Sequence, residues 1–110
     1  MLGEVLKLIR IATMKYETES KAAKTIGITP SYLNKIENGS KYPSEKILEK
    51  LSIIYDISQE KIMAFDRIND KLKLNNQQLL RLILNYYLSD EYLSRKNNDH
   101  QETSIQKRKN

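Results

Sequence analysis

Apolar side chains recur every three or four residues over most of the chain, a spacing that places them on one face of an α-helix. The first such stripe covers residues 2–14 and consists of Leu2, Val5, Leu6, Ile9 and Ala12. Four further segments repeat the pattern, at residues 19–25, 30–38, 45–55 and 59–65. Each of the four follows a Ser or Thr, which can accept a hydrogen bond from the first turn of a helix. The pattern therefore predicts five helices in one bundle over residues 1–66.

The pattern changes in the C-terminal part of the chain. Residues 67–76 are polar with isolated apolar side chains, and we interpret them as a linker or a frayed turn of helix. Residues 77–94 predict a sixth helix that is apolar nearly all round. Residues 95–110 contain one aliphatic side chain, so they are predicted to form a disordered, polar and basic tail.

The sixth helix cannot be left in water, because so large an apolar surface needs a cover. It either packs on its own bundle or pairs with a second copy, and we favour the second alternative. Leu8 and Ile11 lie off the stripe of the first helix; they either contact this C-terminal helix or a partner, or are scattered exposed residues. The dimerisation candidates are Leu79, Leu80, Ile83, Leu84 and Tyr87.

Composition supports an all-α fold. The 110 residues suffice for one domain with an appendage, and three Gly and two Pro are too few for a β-rich fold with many turns. There is no Cys, which excludes disulfides and thiolate metal sites. Neither a signal-peptide pattern nor an apolar run of about 18 residues is present. We therefore expect a cytoplasmic protein with no membrane partner.

The net charge of +5 favours an anionic partner, although the charge is unevenly distributed. Residues 1–70 hold 11 Lys/Arg and 10 Asp/Glu, whereas residues 71–110 hold 8 and 4. Affinity of the N-terminal bundle for an anion must therefore come from local clusters. One such cluster lies in residues 15–41, which contain five lysines, at positions 15, 21, 24, 35 and 41.

The segment Thr29–Gly39 predicts a short helix with defined ends. Thr29 is a suitable N-cap, Pro30 fits the first helical position, and Gly39 can end the helix with a positive φ. Its inward side carries Leu33 and Ile36. Its outward side carries hydroxyl, amide and ammonium groups, at Ser31, Asn34, Lys35 and Asn38. Such groups can discriminate bases in the DNA major groove, although a polar outer face is also usual for a surface helix.

The order and spacing of one segment and several single residues resemble phage repressor/Cro-like (XRE-type) helix-turn-helix proteins over about residues 2–64. These residues are Arg10, Ala23, the segment Gly27–Gly39, Pro43, Leu48, Ile57, Ser58 and Ile62. The resemblance implies a five-helix, lambda-repressor-like bundle and double-stranded DNA as the partner. It also implies a buried ion pair between Arg10 and Glu37.

The resemblance assigns base-edge contacts to Pro30, Ser31 and Lys35, with Asn34 as a flanking candidate. The phosphate candidates are Lys15, Lys21, Thr29, Tyr32, Asn38, Lys41 and Tyr42. Each has a simpler alternative, because Pro30 can serve only to start the helix and Tyr32 only to cover the core. Glu19 stands where the family commonly has a phosphate-binding Gln, and its carboxylate repels DNA. Lys15, Lys21 or helix-terminal N–H groups are therefore expected to bind phosphate on that side.

The leading functional hypothesis is a transcriptional regulator, a repressor by preference, that binds a pseudo-palindromic operator as a homodimer through the C-terminal helix. The alternative is an antitoxin-like or anti-repressor-like interaction module on the same fold, with a protein antagonist as partner. The layout also resembles SinR-type regulators, whose C-terminal end serves oligomerisation and antagonist binding. An enzyme is disfavoured, because the chain lacks Cys, its one histidine is His100 in the tail, and no Gly-rich phosphate loop is present. No cofactor or metal is predicted.

Overall fold

A computed structural model describes residues 1–96 as a bundle of helices. The helices are α1 Leu2–Ala12, α2 Glu19–Ile26, α3 Pro30–Glu37, α4 Glu45–Ile54, α5 Gln59–Leu72 and α6 Asn76–Tyr87. A further helical segment follows at residues 90–96. No strand occurs in this part of the chain, which confirms the predicted all-α class.

Four predicted N-caps start the helices that follow them. The hydroxyl groups of Thr18, Thr29, Ser44 and Ser58 each accept a hydrogen bond from the backbone N–H three residues further on. These bonds satisfy donors that have no partner inside the helix. Local chemistry thus accounts for the starts of α2, α3, α4 and α5.

The core is built around the predicted apolar face of α1. Leu2, Val5, Leu6, Ile9 and Ala12 are all buried, and α1 contacts α3, α5 and α6. Gly3 allows α1 to approach the end of α3 closely. A Cβ at this position would lie 2.6 Å from the carbonyl oxygen of Glu37 and would also clash with that of Ile36. The backbone of α1 therefore rests directly on the last turn of α3.

Helix α5 is longer than the sequence pattern indicated. It was expected to end near residue 65, but it continues to Leu72 and ends where Lys73 adopts a positive φ of 53°. Ile62, Phe65 and Asn69 are spaced by three and four residues and are all buried. Because a polar residue continues the buried face, apolar periodicity alone could not detect it. This corrects the predicted linker at residues 67–76, most of which is helical.

Helix α6 packs within its own chain and mainly against α1. Leu79, Ile83 and Tyr86 are buried, and Leu80, Leu84 and Tyr87 pack half-buried against the same core. Leu8 of α1 is buried as well, whereas Ile11 is exposed. Leu79 and Ile83 were predicted to contact a second copy; this is corrected, because the bundle itself covers them.

The predicted helix over residues 77–94 is interrupted after Tyr87. The hydroxyl of Ser89 accepts a hydrogen bond from the backbone N–H of Tyr92 and so caps the segment 90–96. A sixth helix was therefore correctly predicted, but its C-terminal part is a separate segment. A Ser inside an apolar run gave little sign of this interruption.

Segment 90–96 is attached to the turn between α4 and α5. The Tyr92 hydroxyl donates to Asp56 Oδ2 at 2.7 Å, Lys96 Nζ lies 2.7 Å from the same oxygen, and Arg95 donates to the Asp56 carbonyl. Burial acts to raise the pKa of Asp56, but the hydrogen bonds from Lys96 and Tyr92 outweigh it and hold this pKa below its ordinary value. The first two residues of the predicted tail at 95–110 thus belong to the fold, and those from 97 onward lie outside the described residues.

Candidate nucleic-acid interface

Helices α2 and α3 are joined by a tight turn. Gly27 ends α2 in the left-handed region with φ of 84°, a conformation that favours glycine, and Ile28 leads into the cap at Thr29. Leu33 and Ile36 are buried, so α3 is held with one side against the core. Its other side is exposed and carries Pro30, Ser31, Asn34, Lys35 and Asn38.

A buried ion pair ties α1 to the last turn of α3. Arg10 Nε donates to Glu37 Oε2 at 2.7 Å, and Nη2 donates to Oε1 at 3.1 Å. The third nitrogen, Nη1, donates to the Tyr16 carbonyl at 2.9 Å, so the guanidinium also holds the loop between α1 and α2. A planar, two-point contact of this kind fixes orientation as well as distance.

The electrostatics of this pair reflect its burial. Burial raises the pKa of Glu37, the neighbouring Glu19 adds to that increase, and Arg10 lowers it only in part, so the pKa remains above its ordinary value. Burial acts to lower the pKa of Arg10, but the hydrogen bonds and charge of Glu37 outweigh it and raise this pKa. Arg10 therefore stays charged, and the ionised form of Glu37 depends on this charge.

Polar side chains on the exposed side of α3 are linked to one another and to α2. The Asn34 amide donates to both carboxylate oxygens of Glu19, at 3.3 and 3.2 Å. The Asn38 amide donates to Asn34 Oδ1 at 3.3 Å, and Asn38 Oδ1 accepts from the backbone N–H of Ser40 at 2.9 Å. This row is named here the Glu19–Asn38 row. The sequence placed Glu19 at the start of α2, where the family commonly has Gln, but it gave no sign of the contact between Glu19 and Asn34.

The other phosphate candidates differ in how free their side chains are. Lys15, Lys41 and Tyr42 are exposed, and the Lys41 backbone N–H donates at 3.1 Å to the carbonyl of Lys35, a base-edge candidate that is also exposed. Lys21 is exposed, but its Nζ lies 2.7 Å from Glu17 Oε2. The hydrogen bond and the charge of Lys21 lower the pKa of the Glu17 carboxyl. The Thr29 hydroxyl accepts from the Tyr32 backbone N–H, and the Tyr32 ring packs half-buried against the core. Both Thr29 and Tyr32 thus have roles inside the fold.

Within residues 1–96, no helix is both long enough and apolar enough to cross a membrane. No group of three His, Cys, Asp or Glu side chains in that range converges to hold a metal ion.

Residues 18–61 match the family model described as Helix-turn-helix. This segment is a helix-turn-helix of the XRE type. The match covers α2, α3, α4 and the start of α5, and it confirms the resemblance over these residues. The family is one of DNA-binding regulatory domains and not of enzymes, so the domain is that of a DNA-binding transcription regulator. Comparison with curated proteins and with solved structures found no match to the chain.

Proposed function

We propose that the protein is a repressor that binds a pseudo-palindromic operator as a homodimer. The observation that carries this proposal is the orientation of α3, whose apolar side is buried and whose polar side, including Lys35, is exposed. The buried pair of Arg10 and Glu37 anchors that helix to α1. A helix held in this way can enter the major groove without ordering itself on binding.

Base readout is proposed for Pro30, Ser31, Asn34 and Lys35 on the exposed side of α3. Pro30 has no N–H to donate, so it can contact only a methyl group or a sugar. Lys35 is the one charged side chain among the four. Because few strong base contacts are available, phosphate contacts must supply much of the affinity, and Lys15, Lys21, Lys41 and Tyr42 remain the candidates for them.

Dimerisation is proposed because two recognition helices must reach successive major grooves, about 34 Å apart, to read a two-fold symmetric site. Leu79 and Ile83 are enclosed in the bundle and cannot meet a second copy in this arrangement. Leu80, Leu84 and Tyr87 are half-buried, so they keep accessible surface. The dimer contact is therefore proposed at these three side chains of α6.

Selection of bound DNA from a random pool, followed by sequencing, tests this function directly. We expect a two-fold symmetric motif whose half-sites lie about one helical turn apart. Sedimentation of the chain without DNA is expected to detect a dimer. Enrichment of no sequence would count against the proposal and favour the alternative, a protein-interaction module on the same fold.

Lys35→Ala and Lys41→Ala are expected to weaken binding in different ways. Lys35→Ala should lower affinity for the selected motif by about 1–3 kcal/mol and relax base preference at one position, as for loss of a base contact. Lys41→Ala should weaken binding to all sequences similarly and reduce the salt slope by about 1, as for loss of a phosphate contact. Mobility-shift titrations at several salt concentrations measure both effects.

Lys71→Ala is the matched control for these two variants. Lys71 is exposed on the last turn of α5, outside the helix-turn-helix, and has the same formal charge. It is expected to bind DNA much as the unmodified protein does. Equal losses in all three variants would indicate a general effect of net charge and would contradict the assigned contacts.

A further inference from the structure

The Glu19–Asn38 row holds the Asn34 amide on both of its polar atoms. Asn34 Nδ2 donates to the Glu19 carboxylate, and Asn34 Oδ1 accepts from Asn38 Nδ2. Asn38 is itself held, because its Oδ1 accepts from the Ser40 backbone N–H at 2.9 Å. A side chain of the recognition helix is thus connected to α2 on one side and to the loop after α3 on the other.

These contacts allow only one orientation of the Asn34 amide. If the amide were rotated by half a turn, Oδ1 would face the Glu19 carboxylate and Nδ2 would face the Asn38 amide nitrogen. Oxygen would then oppose oxygen and donor would oppose donor. Because a carboxylate can only accept hydrogen bonds, Glu19 is the partner that decides which atom of the amide points towards it.

The amide remains able to bind a base in this orientation. An Asn amide has two N–H donors and two acceptor lone pairs. The two oxygens of Glu19 lie at nearly equal distances from Asn34 Nδ2, so one N–H shared between them accounts for both contacts. Asn38 uses one lone pair, which leaves one donor and one lone pair. In the major groove, a donor and an acceptor side by side match adenine, which presents N7 as an acceptor and N6 as a donor.

We propose that Asn34 reads an adenine and that Glu19 is a positioning residue that sets the orientation of its amide. This inference rests on the proposed function, because it names a contact within the same DNA interface. Glu19 acts through Asn34 and needs no contact with DNA. It therefore accounts for an acidic side chain at the start of α2, beside a surface that binds an anion.

Glu19 is expected to have opposite effects on affinity and on specificity. Its negative charge repels nearby phosphates, so it weakens binding to every sequence. Its hydrogen bond to Asn34 favours one base at one position. Removal of Glu19 should therefore strengthen binding to DNA in general and weaken discrimination at the position that Asn34 reads.

Replacement of Glu19 is expected to have little net effect on fold stability, because two contributions oppose each other. Its carboxylate is favourable in the first turn of α2, so its removal has a small cost. Glu19 lies close enough to the buried Glu37 to raise the pKa of that carboxyl, so its charge disfavours the ionised form on which the pair with Arg10 depends. Replacement by a neutral side chain removes this repulsion. We expect each variant to remain folded, and thermal unfolding measures this.

The experiment compares four variants of the 110-residue chain on the motif selected by the unmodified protein. Asn34→Ala identifies the adenine, as the position at which discrimination of about tenfold is lost. Glu19→Ala should lose discrimination at that same position and bind non-specific DNA more tightly. Glu19→Gln removes the charge and replaces the carboxylate with an amide that can both donate and accept, so it should bind non-specific DNA more tightly and also lose discrimination at that position.

Glu17→Ala is the matched control, because it removes an acidic charge two residues away that does not contact Asn34. It should strengthen binding to all sequences and leave base preference unchanged. Discrimination retained in Glu19→Ala, lost equally in Glu17→Ala, or unaffected in Asn34→Ala would overturn the inference. Absence of any base preference in the unmodified protein would overturn the proposed function as well. Failure of the proposed function can thus be distinguished from failure of this inference alone.

Discussion

Arg10→Ala is expected to lower the free energy of unfolding by about 3–5 kcal/mol, the usual effect of removing one partner of a buried ion pair. Glu37 would then remain buried without its cation, and the Tyr16 carbonyl would lose its donor. Because the pair joins α1 to the last turn of α3, DNA binding should be lost together with stability. Urea unfolding followed by circular dichroism measures the stability effect.

The loss of unfolding free energy in Arg10→Ala should depend on pH. Arg10 lowers the pKa of Glu37, so its removal raises that pKa further above the value in the unfolded chain. A carboxyl with a raised native-state pKa binds protons more tightly in the native protein, so stability falls as the pH rises through the native pKa. We therefore expect the deficit to be largest at neutral pH and to shrink as the pH falls towards about 4.3, the ordinary pKa of Glu.

A double variant, Arg10→Met with Glu37→Leu, is the control. Apolar side chains of similar volume often replace a buried ion pair at little cost. The double variant should therefore recover most of the stability that Arg10→Ala loses, and its stability should lack the acid-dependent recovery. If Arg10→Ala and the double variant lost equal amounts of stability, the cause would be packing volume and not an unpaired charge.

Ile83→Ala is expected to cost about 2–5 kcal/mol, the range for truncation of a fully buried aliphatic side chain. Ile83 is 0% exposed, between α6 and the rest of the core. Leu88→Ala is the control, because Leu88 lies one residue past α6 and is 75% exposed. We expect this surface change to alter stability by no more than about 0.5 kcal/mol.

The same measurement distinguishes a core residue from a dimer contact. If Ile83 serves the core of one chain, the loss should not change with protein concentration. The proposed dimer makes the midpoint of unfolding rise with concentration in either case. If α6 were held mainly by a second copy, Ile83→Ala would also weaken the dimer and reduce that rise. A concentration-dependent loss would therefore contradict the packing of α6 on α1.

Three separate contacts hold α3 in its position in the fold. Gly3 lets the α1 backbone approach the carbonyl groups at the end of α3, and Arg10 binds Glu37 in the same turn. Leu33 and Ile36 bury the inner side. Because these contacts already fix the helix, its exposed side chains can be exchanged with little effect on stability. Specificity can thus be altered separately from the fold.

The sequence by itself determined the local features of this protein. Helix starts at Thr18, Thr29, Ser44 and Ser58, and the left-handed end of α2 at Gly27, depend on neighbours within one turn of chain. The apolar stripe of α1 follows from periodicity in the same way. The helix-turn-helix could be recognised because many such local features fall in one order. These features also indicate which side of α3 faces outward.

Only the tertiary structure decided which surfaces meet. An apolar face must be covered, but periodicity does not name the cover, so the packing of α6 on α1 could not be separated from dimerisation. The extension of α5 depends on Asn69, a polar residue on a buried face. The contact of Glu19 with Asn34 joins residues 15 positions apart, on two helices. Contacts of this kind depend on how helices are arranged in space, which local patterns do not specify.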